Sequence, residues 1–278
     1  MSSWPVRRSY CVHFRKWVRS GCVIDPRAII DPSATIGANV EIGPWTMIGP
    51  DVVIGDNTVV SSHVIIKGPT VIGSNNRILQ FSSVGEDTPD LKYRGEPTRL
   101  VIGDNNTIRE GVTIHRGTVQ DRGETTIGNN NLLMAYVHVG HDCVIGDHCI
   151  LVNNASLAGH VVVGDWSILS GYVLVHQFVN IGAHSFAGAA TFLTQDLPPY
   201  MIVAGNPAAV RTINSEGLKR RGFSAEQIAA LNRAYKLIYR KGLKLDEAIA
   251  DLEAMTDCAD VIAPLTDFLK SSSRGIVR

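Results

Sequence analysis

The pair His141-Asp142 carries the residue types best suited to catalysis in this sequence. A histidine with a pKa of about 7 can take a proton from a hydroxyl group in a transition state, which is worth roughly 10²- to 10⁴-fold in rate. The adjacent carboxylate can fix the tautomer and the orientation of the imidazole ring. Gly159, directly before His160, offers a bare backbone N–H of the kind that stabilises an oxyanion. We therefore expect a general base beside an oxyanion donor.

A short cationic group, Lys219-Arg220-Arg221, lies within the segment 214–222 and suits the binding of a phosphate. A solvated turn is the alternative, and the sequence alone favours neither. The sequence has no P-loop, no dinucleotide-binding fingerprint and no Gly-x-Ser-x-Gly motif. A general base, an oxyanion donor and a phosphate clamp together suggest acyl transfer to an acceptor that is linked to a nucleotide.

These residues lie in a sequence with a six-residue period. Over 102–195 an aliphatic residue recurs every six residues and is often followed by glycine, and the same period already runs from Ile24 to Val84. The fifth position of each unit is small or mid-sized and includes Cys143 and Cys149, which we expect to be buried and reduced, as suits a cytosolic protein. A fixed short period of this kind is the signature of a solenoid.

The repeat predicts a parallel β-helix, because six residues suit one short strand and a turn. Three strands make a triangular coil of about eighteen residues, and successive coils stack at roughly 4.8 Å. The aliphatic first position and the fifth position point inward, whereas the glycine at the second position and the Asn or Asp that follows suit corners with unusual φ. Asn106 and Asn131 fall at fifth positions and should stack in the core as an amide pair.

The coil places most of the histidines on one side, because residues about eighteen apart lie above one another. His115, His141, His160 and His176 are predicted to climb one outer face of four successive coils, with His138 at the neighbouring corner. A set of solvated histidines is the alternative. Four of the nine histidines on one face favours a site.

Two interruptions of the period, at 85–99 and 115–123, are predicted to leave the solenoid as loops. Loops on a rigid scaffold commonly carry function. Asp90, Lys92 and Arg94 are the candidate ligand contacts of the first loop. An ordinary polar surface loop is the alternative.

Length and composition divide the chain into three parts. Residues 1–21 are basic and lie outside the repeat. They are predicted to be a disordered extension or a non-native start, and an organelle transit segment is the alternative. A secretory signal is disfavoured, because the segment has no continuous apolar core. Residues 22–208 are predicted to form the β-helix and residues 209–278 a small α-helical domain.

The formal net charge of +0 argues against a nucleic-acid binder. No apolar run reaches the length of a membrane span.

The last part of the chain changes to a helical period. Ser224 and Gln227 fit a capping box ahead of a helix that Gly242 ends. A second helix is predicted at 245–255. A third is predicted to begin at Pro264, because proline is favoured at the first position of a helix.

Six motifs carry a resemblance to a known family. They are His138-Val-Gly-His-Asp142, Ile114-His-Arg-Gly117, Gln80-Phe-Ser-Ser, Asp90-Leu-Lys-Tyr, Gly95-Glu-Pro-Thr and Glu216-Gly-Leu-Lys-Arg-Arg-Gly-Phe223. Together with the hexads they resemble the acyl-carrier-protein–UDP-N-acetylglucosamine O-acyltransferases of lipid A synthesis, over about residues 22–278. The resemblance implies a left-handed β-helix, an exception to right-handed crossovers. It also implies a cytoplasmic homotrimer with active sites between subunits.

The resemblance further implies an activity: transfer of a (3R)-3-hydroxyacyl chain from acyl carrier protein to the 3-hydroxyl of UDP-N-acetylglucosamine, in a Gram-negative-type bacterium. The acyl carrier protein thioester is a co-substrate, and neither a cofactor nor a metal is implied. His141 would be the base, Asp142 would orient it, and Gly159 would supply the oxyanion N–H. The residues at substrate-contact positions are Asp90, Lys92, His115, His138, His160, His176, Gln177, Asn214, Glu216, Arg220 and Arg221.

Ala189 departs from the family pattern at a position that resembles the floor of an acyl groove. Family members with glycine there accept a longer chain and those with methionine a shorter one, so alanine predicts a medium 3-hydroxyacyl chain. One methyl group fills about the space of one methylene, and each buried methylene is worth about 0.8 kcal/mol. A surface alanine without substrate contact is the alternative.

Other functions fit parts of the sequence. Three histidines could form an open zinc site of the γ-carbonic anhydrase type, but the spacing here is His-x-x-His and not the His-x₄-His of that family. A sugar acyltransferase that uses coenzyme A or acylates an amine would share the solenoid. A non-catalytic trimeric scaffold would leave the histidine face unexplained.

Overall fold

The structure, a computed structural model, describes residues 19–278, whose strands wind into a triangular parallel β-helix with three faces. Each coil visits the three faces in turn, and the strands up to 204 pair in parallel with the strand one coil away, as His138 does with Thr113 and Ser156. The parallel β-helix predicted from the hexads is confirmed. Most of the predicted extension 1–21 lies outside the described residues.

The strands are short, and most have two residues. The first face comprises Val23–Ile24, Glu41–Ile42, Val59–Val60, Arg77–Ile78, Thr107–Ile108, Leu132–Leu133, Ile150–Leu151, Ile168–Leu169, Phe186–Ala187, Met201–Ala204 and Ala209–Ile213. The second face comprises Ile29–Ile30, Met47–Ile48, Ile65–Ile66, Ser83–Glu86, Thr113–His115, His138–Val139, Ser156–Leu157, Leu174–Val175 and Phe192–Leu193. The third face comprises Thr35–Ile36, Val52–Ile54, Thr70–Ile72, Arg99–Ile102, Glu124–Ile127, Val144–Ile145, Val162–Val163 and Asn180–Ile181.

Inward side chains of the hexads form the core of the coil. Ile78, Ile108 and Leu133 stack on the first face and are each 0% exposed. Burial of each such side chain contributes about 1.5–3 kcal/mol. Cys143 and Cys149 are buried free thiols, as the hexads predict, and burial raises the pKa of each to about 12.

An amide ladder confirms the predicted stack of Asn106 and Asn131 and extends it by one coil. The backbone N–H of Asn131 donates to Oδ1 of Asn106 at 2.9 Å, and that of Asn106 donates to Oδ1 of Asn76 at 2.9 Å. A buried donor without a partner would cost about 1–3 kcal/mol, so the ladder satisfies groups that the coil leaves unpaired. Asn76 occupies the same fifth position and carries the same signal in the sequence.

The corners differ from the prediction in the role of glycine. The residues with positive φ lie two positions after the expected glycines, as in Asp142 (φ 58°) after Gly140 and His148 (φ 58°) after Gly146. The glycines are needed for close contact between coils instead. A Cβ on Gly146, for example, would lie 2.1 Å from Oδ1 of Asp165 in the next coil.

Both predicted loops leave the coil at the corner between the second and third faces. One lies between Ser83–Glu86 and Arg99–Ile102, and the other between Thr113–His115 and Glu124–Ile127. The third-face strands that follow the two loops pair with each other in register, so the extra residues do not shift the repeat. This corner also carries His141 and is named the His141 corner. The corner between the third and first faces is named the His184 corner, and that between the first and second faces the Ala189 corner.

Four helices follow the coil: α1 (Ser215–Arg220), α2 (Ala225–Tyr239), α3 (Leu245–Glu253) and α4 (Ala259–Ser271). The capping box of Ser224 and Gln227 is confirmed. The predicted start of the third helix is wrong, because Pro264 lies inside α4. The turn before the proline buries Val261 and Ile262, and this burial offsets the hydrogen bond that proline cannot make. The segment 214–222, predicted to precede the helices, itself contains α1.

The helices pack on the open end of the coil. The hydroxyl of Tyr235 donates to the carbonyl of Arg211 at 3.0 Å, and that of Ser272 donates to the buried carboxylate of Asp196 at 2.7 Å. The predicted boundary at 208 falls between the last two strands, which pair antiparallel, and the division into parts stays a prediction. Within residues 19–278, no helix has the length and apolar character needed to cross a membrane.

Candidate active site

The His141 corner aligns residues of successive coils in two columns. One column consists of His141, Gly159 and Gln177, and the other of Asp142, His160 and Phe178. The N–H of His160 donates to the carbonyl of His141 at 2.9 Å, and that of Phe178 donates to the carbonyl of Gly159 at 3.2 Å. Residues that are far apart in the sequence therefore meet at one corner.

The buried carboxylate of Asp142 accepts hydrogen bonds from both His141 and Thr118. Nδ1 of His141 lies 2.8 Å from Oδ2 of Asp142, whose side chain is 0% exposed. Thr118 donates its N–H to Oδ1 at 2.9 Å and its hydroxyl to Oδ2 at 2.7 Å. Burial raises the pKa of Asp142, but the hydrogen bonds from His141 and Thr118 outweigh burial and hold the pKa below its usual value. The carboxylate therefore stays ionised and accepts the Nδ1–H of His141, which leaves Nε2 as an acceptor.

His160, one coil above, forms a second histidine–carboxylate pair. Its Nδ1 lies 2.7 Å from Oδ2 of Asp121. Its ring stacks on Phe178, with centroids 4.2 Å apart, and meets the ring of His141 edge-on at 4.9 Å. Thr118 and Asp121 both lie in the second loop, and neither was predicted, because the loop interrupts the repeat from which neighbours can be deduced.

Gly159 leaves its backbone open beside the imidazole of His141. A Cβ at this position would lie 2.6 Å from both Cε1 and Nε2 of His141, so a side chain would displace the ring. The N–H of Gly159 donates to no backbone acceptor in the part of the chain that the structure describes. An unpaired N–H beside a general base is what an oxyanion hole requires.

His115 and His138 flank the columns on the second face. The Nδ1–H of His115 donates to the carbonyl of Asp87 at 2.7 Å, and Nδ1 of His138 lies 2.9 Å from the hydroxyl of Thr113. The two rings lie 5.3 Å apart. Burial lowers the pKa of His138, and the charges of His115 and His141 act in the same direction. His138 is thereby kept neutral and can both donate and accept a hydrogen bond.

Asp90 and Lys92 lie on the first loop, which a buried arginine ties to the coil. Arg116 is 5% exposed, and it donates to the carboxylate of Asp87 and, at 3.0 Å, to the hydroxyl of Tyr93. The carboxylate of Asp90 accepts the N–H of Lys92 at 2.9 Å. The loop thus leaves at the His141 corner, but among residues 19–278 neither Asp90 nor Lys92 bonds to a histidine of that corner.

His176 and Gln177 complete the upper end of the corner. Nδ1 of His176 lies 3.1 Å from the carbonyl of Gln177 and 3.4 Å from the guanidinium of Arg274 in the C-terminal tail. Ala189 is exposed at the Ala189 corner, on a different edge of the same coil. A single chain therefore does not bring Ala189 to His141.

The predicted contacts from the C-terminal part lie at the His184 corner and not at the His141 corner. They are Asn214, Glu216, Arg220 and Arg221. Nδ2 of Asn214 donates to the carbonyl of His184 at 2.9 Å, and the Arg221 guanidinium lies 5.3 Å from the ring centre of Trp166. Glu216 and Arg220 are exposed on α1. The structure thus separates these residues from His141 within one chain, because α1 follows the coil from its first face.

An aromatic cleft of about 380 Å³ opens at the His184 corner and was not predicted. Rings of successive coils stack there: His148 on Trp166 at 4.0 Å, and His184 on Tyr200 at 5.7 Å. Burial, together with the charge of Arg221, lowers the pKa of His184 to about 4. The spacing of eighteen residues between His148, Trp166 and His184 is the signal in the sequence that would have revealed the stack.

The only group of side chains with metal-ligand spacing among the described residues is His141, Asp142 and His160. Their ligand atoms lie within 4.8 Å of one another. However, both carboxylate oxygens of Asp142 already accept hydrogen bonds, from Thr118 and His141. An ion bound to Asp142 would compete with these donors, so this carboxylate is better placed to orient a histidine base than to bind an ion.

Stacked hexapeptide coils with a histidine–aspartate corner define a hexapeptide-repeat transferase. The model of the bacterial transferase hexapeptide (six repeats) matches residues 16–50, 33–68 and 124–159. The model of UDP-N-acetylglucosamine O-acyltransferase, domain 2, matches residues 196–277.

Relatives and solved structures narrow this class to one family. An acyl-[acyl-carrier-protein]–UDP-N-acetylglucosamine O-acyltransferase of Stutzerimonas stutzeri is 64% identical over 76% of this chain and 82% of its own length. One of Pseudomonas aeruginosa is 64% identical over 73% of this chain and 79% of its own length. The structure of LpxA from Acinetobacter baumannii has a TM-score of 0.89 and 48% identity, covering 92% of this chain and 100% of that chain. The chain belongs to the family of acyl-carrier-protein–UDP-N-acetylglucosamine O-acyltransferases and has its left-handed β-helix.

Proposed function

We propose that the protein transfers a (3R)-3-hydroxyacyl chain from acyl carrier protein to the 3-hydroxyl of UDP-N-acetylglucosamine, the first step of lipid A synthesis, in the cytoplasm. The names of its relatives support the activity and both substrates. The observation that carries the proposal is the pair His141-Asp142 with the open backbone of Gly159 beside it. No cofactor is required, because the thioester already activates the acyl group.

The geometry of the His141 corner suits each step of the reaction. Asp142 accepts the Nδ1–H of His141, so Nε2 can take the proton of the sugar hydroxyl as its oxygen attacks the thioester carbonyl carbon. The carbonyl oxygen becomes an oxyanion, which the N–H of Gly159 stabilises. The C–S bond then breaks, and the imidazolium returns its proton to the leaving thiolate. Asp142 stabilises the imidazolium while it exists.

The positions of the remaining predicted contacts support a homotrimer in which two chains complete each site. The nucleotide contacts around α1 lie at the His184 corner, away from the His141 corner of the same chain. A neighbouring subunit that turns its His184 corner toward this His141 corner would bring Arg220 and Arg221 to the nucleotide phosphates. Ala189 lies on the third edge of the coil, so it would contact an acyl chain bound at the His141 corner of another subunit.

The alternatives place the same corner in a different reaction. A coenzyme A-dependent sugar acetyltransferase or an N-acyltransferase would need a different donor or an amine acceptor, and the relatives of high identity carry neither name. A zinc hydratase that used Asp142 as a ligand would have to compete with the hydrogen bonds that His141 and Thr118 give this carboxylate.

Mass spectrometry of the product tests the proposal. The purified protein is incubated with UDP-N-acetylglucosamine and a panel of acyl carrier protein thioesters, and in parallel with acetyl-coenzyme A. We expect one 3-hydroxyacyl group on the sugar oxygen from the carrier protein donor and no product from acetyl-coenzyme A. Acetylated product from acetyl-coenzyme A alone would contradict the proposal. Gel filtration with light scattering measures the trimer separately.

A further inference from the structure

We propose that Thr118 and Asp121 are positioning residues that assign each of two histidines its own carboxylate. The inference rests on the proposed function of His141 as the base. Thr118 fixes Asp142 for His141, and Asp121 holds His160. Both residues lie on the second loop, in the segment 117–123, which is named the positioning loop.

Thr118 is the residue that satisfies the buried carboxylate of Asp142. A buried carboxylate is costly unless donors surround it. Thr118 supplies two of the three hydrogen bonds to the side chain of Asp142, from its N–H and its hydroxyl, and His141 supplies the third. Thr118 is itself 2% exposed. The plane of the carboxylate, and with it the direction in which His141 is held, is therefore set by the positioning loop.

The backbone of the positioning loop closes on Thr118. The carbonyl of Thr118 accepts the N–H of Gly123 at 2.9 Å and that of Asp121 at 3.3 Å. Gly123 adopts φ of 68°, which allows the chain to turn there. One turn therefore fixes the relative positions of the Thr118 hydroxyl and the Asp121 carboxylate.

Asp121 resolves a competition between the two histidines. Oδ2 of Asp142, the atom that accepts from His141, lies 3.9 Å from Nδ1 of His160. Asp121 offers His160 a closer acceptor at 2.7 Å. Without it, a small rotation of His160 would bring its Nδ1–H to Asp142 and weaken the bond to His141. With it, His160 keeps Nδ1 protonated and presents Nε2 as an acceptor to the substrate.

Full-length variants of Thr118 test the first half of the proposal. Thr118→Val keeps the shape and the N–H but loses the hydroxyl, and we expect kcat to fall about tenfold or more while KM changes less than about twofold, since one hydrogen bond to a charged group is worth this much in rate. Thr118→Ser should recover kcat to within about threefold. The acid limb of the pH–rate profile should move to higher pH in Thr118→Val, because the carboxylate then exerts more of its charge on the imidazole. Besides Asp142, the titratable groups around His141 are His138 and His160, and Asp121 faces His160.

A buried threonine elsewhere in the coil supplies the matched control. Thr58 is 0% exposed, and its hydroxyl donates to the carbonyl of Gly73, far from the His141 corner in the first coils. Thr58→Val should leave kcat and the pH profile unchanged. If Thr118→Val lowered the melting temperature by the same amount as Thr58→Val and left kcat and the acid limb at wild-type values, the role of Thr118 would be structural only.

Variants of Asp121 test the second half. Asp121→Asn retains an oxygen that accepts from His160 and should keep kcat within about threefold, whereas Asp121→Ala should lower it about tenfold. Nitrogen NMR of the imidazoles should show His160 with Nδ1 protonated in the wild type and a changed signal in Asp121→Ala. The double variant of Thr118→Val and Asp121→Ala should lose less than the product of the single losses, because both act through Asp142.

The outcomes separate this inference from the proposed function. If the wild-type protein does not transfer the acyl group, the proposed function fails before any variant is compared. If the wild type is active and His141→Ala is inactive, while Thr118→Val and Asp121→Ala both have wild-type kcat and wild-type NMR signals, the positioning role alone is wrong.

Discussion

Replacement of His141 by alanine should abolish most of the turnover while the fold persists. The imidazole of His141 lies directly against the open backbone of Gly159, and its Nε2 is free to take the hydroxyl proton because Nδ1 is held by Asp142. Loss of a general base costs roughly 10²- to 10⁴-fold in rate, so we expect kcat to fall at least about 10²-fold. The effect should appear in kcat and kcat/KM alike, because the proton transfer is made only in the transition state.

The stability cost of the same change is modest and can be worked out from the contacts of His141. The side chain lies at an outward corner and is 16% exposed, so its removal opens the site to water and leaves no closed cavity. It takes away one hydrogen bond to Asp142, worth about 1.5–3 kcal/mol. Thr118 still satisfies both oxygens of that carboxylate. A domain stability of about 5–15 kcal/mol survives such a loss.

Steady-state kinetics with a 3-hydroxyacyl carrier protein, together with thermal melting and gel filtration, measures both effects. His63→Ala is the control, because His63 is another corner histidine but lies at the Ala189 corner, between Val59–Val60 and Ile65–Ile66. The control should keep wild-type turnover. Near wild-type turnover of His141→Ala would refute the assignment of the base. An oligomeric state of His141→Ala that differs from that of the wild type would refute the reasoning on stability.

Three further predictions concern the other corners. Arg220→Ala and Arg221→Ala should raise KM for UDP-N-acetylglucosamine more than they lower kcat, since a phosphate clamp acts equally in ground and transition states; kinetics in which only kcat falls would contradict it. Ala189→Gly should favour longer acyl donors and Ala189→Met shorter ones when donors compete, and an unchanged product ratio would remove its role in chain length. Because the pKa of His184 falls from 6.5 to about 4 on folding, the unfolded chain binds more protons between these values, and the stability contributed by neutral His184 is lost as the pH falls through this range. His184→Gln should therefore lose less melting temperature than the wild type between pH of about 7 and about 5, and an equal loss in both would contradict the assignment.

The solenoid could be predicted because its period is visible in every coil. A residue that points inward recurs at fixed positions, so the stacking of Asn106 on Asn131 and the burial of Cys143 follow from counting alone. The same counting brings His141 below Gly159. Hydrophobic periodicity does not distinguish a left-handed from a right-handed coil. The left hand was therefore predicted from the family resemblance alone. Helix α2 was predictable because Ser224 and Gln227 satisfy each other's backbone donors locally.

Features that depend on contacts outside the repeat could not be predicted. Thr118 and Asp121 lie in an insertion, where no fixed spacing relates them to Asp142 or His160. The start of α4 was misplaced because a local preference of proline was weighed without the burial of the preceding turn. The separation of Arg221 from His141 follows from the route of the chain after the last coil, which composition and spacing do not show.

Positive φ recurs at corners throughout the coil, at aromatic residues such as Trp45 and Phe81 as well as at asparagines, so the backbone of the His141 corner is ordinary for this fold and its side chains set it apart. Asp142 and His160 adopt φ of 58° and 64°, a region that costs a residue other than glycine on the order of 1 kcal/mol. Asn39 and Asn57 fill the equivalent kind of position in the first coils, where asparagine tolerates this conformation more readily. At the His141 corner the cost is offset by side-chain contacts instead, between Asp142 and Thr118 and between His160 and Asp121. The coil itself would close with asparagine at these positions, so what distinguishes this corner is the set of side chains that hold one histidine to one carboxylate.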